Sequence, residues 1–292
     1  MVKFTLLLIC LSFLLLESVS SFEKVDSFLK IRCDMSGKNV FYTWTGTIFN
    51  YMPQKQPELL FNFVGFNVGR CVKTKEGNWQ LLTRELSYYI DPETNEKLSN
   101  WNNPYTGETV NVIHVSNDPV NSPLFSVPYQ KITDDAAVVV SDFPLFYTNP
   151  LYGNDTFLEY SGSDQFYEAG EFFKFYFSIK ELENSKDNLE NVTISWNRVG
   201  PYVPWMKMGS IKGQLVYSVY GTKAANIESL PKWLQEDVVN RLPLYLNAPT
   251  TYERPNETAF TYFKKHFNEY LRGDQFPLPV KGEKKEVKFL MN

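Results

Sequence analysis

Apolar and polar residues alternate along this chain in short runs that are separated by turn residues. The runs occupy residues 40–49, 59–68, 79–90, 109–115, 136–145, 171–179, 192–199 and 214–220. A period of two is typical of strands that bury one face. Because no helical pattern separates the runs, the chain is predicted to be mainly β, as an antiparallel β-barrel or a strongly curved sheet that is calycin-like in outline. The barrel is favoured because closure leaves no exposed edge strand.

Helical spacing is found only near the C-terminus. Residues 230–241 follow Ser229 and carry Pro231 in the first turn, and both features favour the start of a helix. Residues 259–271 place aromatic side chains three and four positions apart, which predicts a helix with an aromatic face. The expected architecture is one β domain with two C-terminal helices packed on it.

The N-terminus has the layout of a secretory signal peptide. Lys3 is followed by an apolar run at 4–16 and by small residues that end at Ser21. A spanning helix needs about 20 apolar residues, so a membrane anchor is the less favoured alternative. We therefore predict a signal peptide at 1–21, a single β-rich domain at 22–280 and a charged tail at 281–292. The mature protein is expected to be secreted, without stable membrane insertion after signal removal.

Composition narrows the expected partners. The formal net charge is −4, whereas general nucleic-acid binders need a basic surface that displaces counterions. We therefore expect no nucleic-acid partner. Aromatic residues make up 16% of the chain, which favours strands and large side-chain contacts.

Export would also change how the cysteine and asparagine residues are interpreted. Cys10 lies in the predicted signal peptide, so the mature chain keeps Cys33 and Cys71. These two cysteines are predicted to form a disulfide, with two free buried thiols as the alternative. Sequons that fit the N-glycosylation pattern predict glycan sites on the outer surface. They lie at Asn154, Asn191 and Asn256.

Charged residues share the apolar face of several predicted strands. Arg84 has the same parity as Leu86, and Glu171 has the same parity as Phe173. An unpaired charge inside a barrel is costly, so we expect these groups to meet a partner, water or a ligand near one opening of a cavity. The predicted ligand-binding residues are Arg84, Tyr88, Asp142, Glu171, Trp196, Arg198 and Trp205.

The favoured function is the binding of a small apolar or aromatic molecule, with Arg84 and Arg198 fixing its anionic or polar end. Internal ion pairs among the same charged residues are the structural alternative. Trp205 lies in the apolar loop 195–209, which is interpreted either as a lid over the cavity or as ordinary core. A core filled by the protein's own side chains would instead indicate a secreted structural or interaction protein.

His114 is the candidate for proton transfer, because imidazole titrates near neutral pH. Asp118 follows in an Asn-Asp-Pro turn and is placed to orient the ring. This tentative catalytic pair defines an enzyme alternative, a lyase, isomerase or hydrolase, whereas a satisfied core histidine is the structural alternative. The chain holds only two histidines and no phosphate or dinucleotide motif, so no metal site and no cofactor are predicted.

Five segments taken together resemble an uncharacterised family, domain of unknown function 1838. The segments are residues 31–33, 101–108, 114–119, 195–209 and 255–258. The resemblance covers nearly all of the mature chain in the same order. It implies no activity, cofactor or catalytic residue, because none is established for the family. Asn256 falls within one of these segments and is the weakest of the predicted glycan sites, since it can serve a helix start instead.

Overall fold

The computed structural model describes residues 27–281, so the predicted signal peptide and residues 282–292 of the predicted tail lie outside the described residues. A helical stretch at residues 27–32 comes first. The strands are β1 (Val40–Tyr51), β2 (Glu58–Lys73), β3 (Trp79–Ile90), β4 (Asn100–Asn102), β5 (Thr109–Asn111), β6 (Val115–Asn117), β7 (Ser122–Pro123), β8 (Tyr129–Lys131), β9 (Ala136–Thr148), β10 (Phe166–Ser178), β11 (Thr193–Gly200) and β12 (Gln214–Ala224). The helices are α1 (Leu158–Ser161), α2 (Ile179–Asn184), α3 (Lys232–Arg241), α4 (Ala259–Lys265) and α5 (Phe267–Arg272).

Ten strands form one antiparallel sheet in the order β6-β3-β2-β1-β12-β11-β10-β9-β8, with β7 also paired to β3. Strands β4 and β5 form a separate two-stranded sheet. The prediction of a mainly antiparallel β protein is therefore confirmed. Within residues 27–281 no ladder joins β8 to β6 or β7, so the closure of a barrel is not confirmed.

The sheet is strongly curved. Eight strand spacings separate β7 from β8, which would be about 38 Å in a flat sheet. The chain from Pro123 to Tyr129 joins these two strands, and six fully extended residues span at most about 22 Å. The two edges of the sheet must therefore approach each other.

Two glycines at the centre of the sheet permit this curvature. Gly65 on β2 and Gly221 on β12 both pair with Trp44 on β1. A Cβ atom at Gly65 would overlap the Leu86 carbonyl oxygen, and one at Gly221 would overlap the Thr43 carbonyl oxygen. Only glycine allows the neighbouring backbones to come this close.

Side chains on one face of the sheet converge, and we call this the inner face. Phe63 on β2 and Trp196 on β11 lie three spacings apart, which is about 14 Å in a flat sheet. Their ring centroids are nevertheless 6.3 Å apart. Residues opposite each other in an antiparallel pair share a face, so the register assigns every strand residue to the inner face or to the opposite, outer face.

Apolar clusters fill both ends of the inner face. One end packs Trp205, Met206 and Phe263 against Phe61 and Tyr89. The other end packs Phe28 and Ile31, from the helical stretch 27–32, against Tyr42 and Phe175. The outer face of β2 and β3 is covered by α3, while the outer face of β9 and β10 stays exposed at Phe146 and Phe166.

The predicted strand 109–115 is wrong, because the chain changes sheets within it. Thr109–Asn111 pairs with β4, whereas Val115–Asn117 pairs with β3 in the main sheet. His114 lies between the two strands and therefore does not share a face with Val110 through strand alternation. The predicted helix 259–271 is interrupted at His266, which separates α4 from α5.

Two interactions fasten the helical stretch 27–32 to the sheet. Cys33 and Cys71 form the predicted disulfide, with their Cα atoms 5.8 Å apart. The Lys223 ammonium on β12 donates to the carbonyl oxygens of Lys30, Ile31 and Cys33 at 2.8, 2.9 and 2.8 Å. The Lys30 and Ile31 carbonyls lie in the last turn of the helical stretch, where carbonyls have no partner within the helix, and Cys33 directly follows that turn.

Candidate functional site

A buried ion pair lies on the inner face between β10 and β11. Glu171 pairs with Arg198 in the register, and Arg198 Nε lies 3.0 Å from Glu171 Oε1. Trp196 Nε1 donates to Glu171 Oε2 at 2.6 Å, and Arg198 also donates to the Tyr167 hydroxyl. The side chains of Arg198 and Glu171 are only 12% and 9% exposed. Both side chains are thus largely removed from water, and their polar atoms contact each other, Trp196 and Tyr167.

A second set of polar side chains lies on the same inner face, closer to the helical stretch 27–32. Trp44 lies 5.7 Å from Trp196 and donates through Nε1 to Ser87 Oγ at 3.1 Å. Glu85 lies two residues before Ser87 on β3, so it also faces inward. Asn117 Nδ2 donates to Glu85 Oε2 at 3.3 Å.

We call the whole group the inner polar site. Its members are Arg32, Glu85, Asn117, Glu171 and Arg198. Sequence patterning does not identify Glu85, because the face of β3 that holds Glu85 is less apolar than the face that holds Arg84. It does not identify Arg32 either, because no strand pattern covers the stretch 27–32. Asn67 on β2 gives a weak indication of this site, because it is a polar residue on the same face as Phe61 and Phe63 and it pairs with Glu85.

The two carboxyl groups have shifted acidity. Burial raises the pKa of Glu171 to about 8, the nearby Glu85 carboxyl adds to the rise, and the Trp196 N–H opposes it. Burial also raises the pKa of Glu85, against the hydrogen bond from Asn117 and the charges of Arg32 and Arg198. The curved sheet therefore brings two carboxyls with raised pKa values into one site, where Glu171 can hold or release a proton close to neutral pH.

Aromatic side chains line the inner face next to the ion pair and keep accessible surface. Phe143 is 43% exposed and stacks on Phe173, whose ring lies 5.8 Å from that of Trp196. Phe173, Trp196 and Trp44 are half-buried, whereas Phe63 on the same face is 1% exposed. We call Trp44, Phe143, Phe173 and Trp196 the aromatic panel. It is an apolar surface beside placed polar groups, as small-molecule sites require.

The structure brings together only part of the predicted ligand-binding set. Glu171, Trp196 and Arg198 meet on the inner face, but Arg84 and Asp142 point to the outer face. Asp142 is exposed there. Arg84 is buried under the C-terminal segment, where its Nε lies 2.8 Å from Asp118 Oδ1. The predicted grouping at one opening is therefore wrong, because alternation tells which residues of one strand share a face but not which face of the sheet it is.

Tyr88 also lies on the outer face. Its hydroxyl donates to Asp237 Oδ2 on α3 at 2.6 Å. It borders a surface groove of about 470 Å³, lined in part by Lys97, Trp233 and Arg241. Arg241 lies 2.7 Å and Lys97 3.6 Å from the Asp237 carboxylate, so these three charges of the groove are paired with one another.

Trp205 is core rather than lid. It is 2% exposed and packs on Phe61 and Tyr89 at ring distances of 5.8 and 5.1 Å. Its loop is held by Asn103, whose Nδ2 donates to the Met206 carbonyl oxygen at 2.7 Å. The structure thus favours the core interpretation of the loop 195–209.

His114 and Asp118 make separate contacts. His114 is 2% exposed, and its Nδ1 accepts the Tyr89 backbone N–H at 3.1 Å, where no ladder partner is present on that side of β3. The pKa of His114 falls to about 3, because burial and then the charge of Lys97 disfavour the imidazolium form. Asp118 is engaged by Arg84 instead. This arrangement fits a satisfied core histidine better than a general base oriented by Asp118.

The three sequons differ in exposure. Asn154 and Asn191 are exposed. Asn256 is half-buried, with its Oδ1 accepting the Asn121 N–H at 2.9 Å and its Nδ2 donating to the Asn121 carbonyl oxygen at 3.0 Å. Among residues 27–281, no three His, Cys, Asp or Glu side chains gather as a set of metal ligands.

Fold and site together define a mainly antiparallel β protein whose curved sheet carries aromatic and ionisable side chains on its inner face. The chain belongs to the family described as protein of unknown function, DUF1838, which matches residues 37–267. A comparison with curated proteins finds none that matches. None of the helices in the described part of the chain has the length and apolar character needed to cross a membrane.

Proposed function

We propose that this protein is secreted and binds a small apolar or aromatic molecule on the inner face of its sheet. The observation that carries the proposal is the partial exposure of the aromatic panel beside the buried contact between Arg198 and Glu171. Four aromatic side chains of an inner face remain accessible there, although both ends of that face are closed by apolar clusters. Such a surface offers stacking area for a ring and placed polar groups for orientation.

In this proposal Arg198 contacts the polar end of the ligand, as the sequence predicts. Arg84 does not contact the ligand, because it lies on the outer face. Because Glu171 and the Tyr167 hydroxyl already occupy Nε and Nη2 of Arg198, the proposed ligand has a polar, uncharged end rather than an anionic one. A second anion would have to displace Glu171 from two donors.

The remaining features belong to the same proposal. The curvature of the sheet supports a calycin-like outline, with the ligand held inside the curve. The signal-peptide layout of the sequence and the Cys33–Cys71 disulfide support secretion. Exposure supports glycans at Asn154 and Asn191. The enzyme alternative loses support, since His114 is buried, neutral and bonded to the backbone.

The test is a fluorescence titration of the oxidised mature protein with a neutral aromatic probe, 6-propionyl-2-(dimethylamino)naphthalene. We expect saturable binding with one site per chain. Phe143→Ala should weaken this binding about tenfold through loss of stacking area. The matched control is Phe146→Ala, which removes an exposed phenylalanine from the outer face of the same strand and should leave binding unchanged. Equal effects of the two substitutions, or no saturable binding, would overturn the proposal.

A further inference from the structure

The surface groove beside Tyr88 lies between α3 and the turn that follows β3, and we call it the outer groove. Its volume of about 470 Å³ falls within the roughly 300–1,000 Å³ that small-ligand sites occupy. Because α3 covers the outer face of the sheet, this groove is separate from the aromatic panel. It therefore offers a second place where a ligand can bind.

One wall of the outer groove is a single side of α3. Trp233, Asp237 and Arg241 follow each other along it at four-residue spacing. The neighbouring side of the helix is apolar and packs on the sheet, which fixes this wall. Trp233 stands edge-on to Tyr88 at a ring distance of 5.2 Å and stays 36% exposed. The groove thus has an indole ring that is held in place and has free surface for stacking.

The opposite wall is the turn at residues 91–97. The Asn95 N–H donates to the Asp91 carbonyl oxygen at 2.9 Å, and the Asp91 N–H donates to the Glu96 carbonyl oxygen at 2.9 Å. These bonds close the turn and hold Asn95 and Glu96 at the groove, where both residues are exposed.

Uncharged amides face the groove from both walls. The side chains of Asn95 and Asn240 are exposed and make no hydrogen bond within residues 27–281. Each amide offers a carbonyl acceptor and two N–H donors. A ligand with hydroxyl groups, which both donate and accept, can therefore bond to either wall.

The charged side chains of the groove leave an excess of carboxylate. Asp237 is paired with Lys97 at 3.6 Å and with Arg241 at 2.7 Å. Glu96 and Glu236 add two exposed carboxylates. The lining therefore has three carboxylates for two cations, which disfavours an anionic ligand.

We propose that the outer groove binds a neutral oligosaccharide. The apolar C–H face of one sugar ring stacks on Trp233. The hydroxyl groups of the sugar bond to the amides of Asn95 and Asn240 and to the carboxylates beside them. This site is independent of the ligand proposed for the inner face and goes beyond that function.

Two other ligand classes fit the groove less well. A cationic ligand would meet the Lys97 ammonium, which lies 6.0 Å from the Trp233 ring centroid. A wholly apolar ligand would cover exposed amides and carboxylates without bonding to them. A sugar avoids both conflicts, since it is uncharged and carries hydroxyl groups around an apolar ring face.

The test is a glycan array that holds neutral oligosaccharides beside sulfated and sialylated ones, probed with the oxidised mature protein. The neutral glycan that binds best is then titrated by ligand-observed NMR. We expect saturable binding of that glycan and at least about tenfold weaker binding of the charged ones. Absence of binding to every neutral glycan, or a preference for charged glycans, overturns the inference.

A matched pair of variants locates the effect. Trp233→Leu keeps an apolar side chain but removes the ring, and should weaken binding of the neutral glycan at least about tenfold. Trp79→Leu is the control and should change nothing. Trp79 also lies beside a lysine, with Lys73 Nζ 5.6 Å from its ring centroid, but it is outside the groove. Equal affinities of the two variants overturn the inference.

A second pair tests the amides at positions where the fold does not depend on the side chain. Asn240→Ala should weaken glycan binding about fivefold through loss of a hydrogen bond. Asn268→Ala, at an exposed position of α5, should not. An affinity that Asn240→Ala leaves unchanged contradicts the contact with this wall. Binding of the naphthalene probe should be the same in all four variants, so failure of this inference is distinguished from failure of the proposed function.

Discussion

The carboxyl groups of Glu85 and Glu171 interact across the inner face, although five strand spacings separate β3 from β10. In a flat sheet this separation would be about 24 Å. The interaction exists only because the sheet curls and both side chains point into the curve. Two carboxyls in one desolvated space make the protonation of the site depend on pH in a defined direction.

Glu171→Gln should reduce the dependence of stability on pH. The pKa of Glu171 is about 8 in the folded protein against an ordinary 4.5. Between these values the folded protein keeps a proton that the unfolded chain has lost, so the free energy of unfolding falls as the pH rises. Glutamine still accepts from Trp196 but does not titrate. We expect urea unfolding at several pH values to show a smaller change in the free energy of unfolding across this window for the variant than for the wild type. The difference between the two changes should be at least about 1 kcal/mol. An unchanged slope would contradict the assignment.

His114 should remain neutral down to strongly acidic pH. Its folded pKa is about 3 against an ordinary 6.5, so its contribution to stability is complete above 6.5 and is lost as the pH falls toward 3. The chain has two histidines, and His266 is half-buried. Burial and the charge of Lys265 lower the pKa of His266 below the ordinary 6.5. An NMR titration should therefore show one imidazole, His266, that titrates in the weakly acidic range, and one, His114, that stays neutral there. Titration of both rings in that range would place His114 in contact with solvent.

Tyr88→Phe should cost stability without affecting ligand binding. The substitution removes the hydroxyl that donates to Asp237, and the loss should be about 1 kcal/mol. Trp196→Phe, on the opposite face, should weaken binding of the naphthalene probe. Denaturant unfolding and the probe titration on both variants separate the two effects. Reduced probe binding in Tyr88→Phe would restore Tyr88 to the ligand site.

Lys223→Met should loosen the helical stretch 27–32. Three backbone carbonyls lose the Lys223 donor. The Lys30 carbonyl still accepts the Leu189 N–H and the Ile31 carbonyl still accepts the Tyr42 hydroxyl, so we expect a loss of about 1–2 kcal/mol. Hydrogen exchange at residues 29–33 should rise as well. Lys212→Met, at an exposed position, is the control. Unaltered protection at residues 29–33 would show that the disulfide alone fastens this stretch.

Glycan occupancy should differ among the sequons. Glycopeptide mass spectrometry of protein secreted from a eukaryotic host should find glycans at Asn154 and Asn191 and none at Asn256. The Asn256 side-chain amide accepts the Asn121 N–H through Oδ1 and donates through Nδ2 to the Asn121 carbonyl oxygen. A glycan on that nitrogen would displace the contact. Full occupancy at Asn256 would mean that glycosylation precedes this packing.

The sequence predicted the strands well but could not predict the site as a whole. Alternation correctly placed Glu171 with Phe173, and Arg198 with Trp196, because those strands have one exposed face. Strand β3 is buried on both faces, since α3 covers the outer one. Its more apolar face holds Arg84, so alternation alone indicates the wrong face as the inner one and does not identify Glu85.

Which residues of distant strands share the inner face depends on the register of every strand pair between them. Whether Arg84 or Glu85 meets Arg198 depends on pairings through β2, β1, β12 and β11, and no local pattern encodes that chain of contacts. His114 shows the same limit on a smaller scale. The alternation at 109–115 continues past the point where the chain leaves one sheet and joins another.

The contact of Lys223 with Lys30 joins positions 193 residues apart. During synthesis the helical stretch 27–32 is made first, yet the ammonium group that holds its last carbonyls arrives only after eleven strands have been completed. A chain interrupted before β12 would have most of its strands but would lack this ammonium group and the strand that joins β1 to β11.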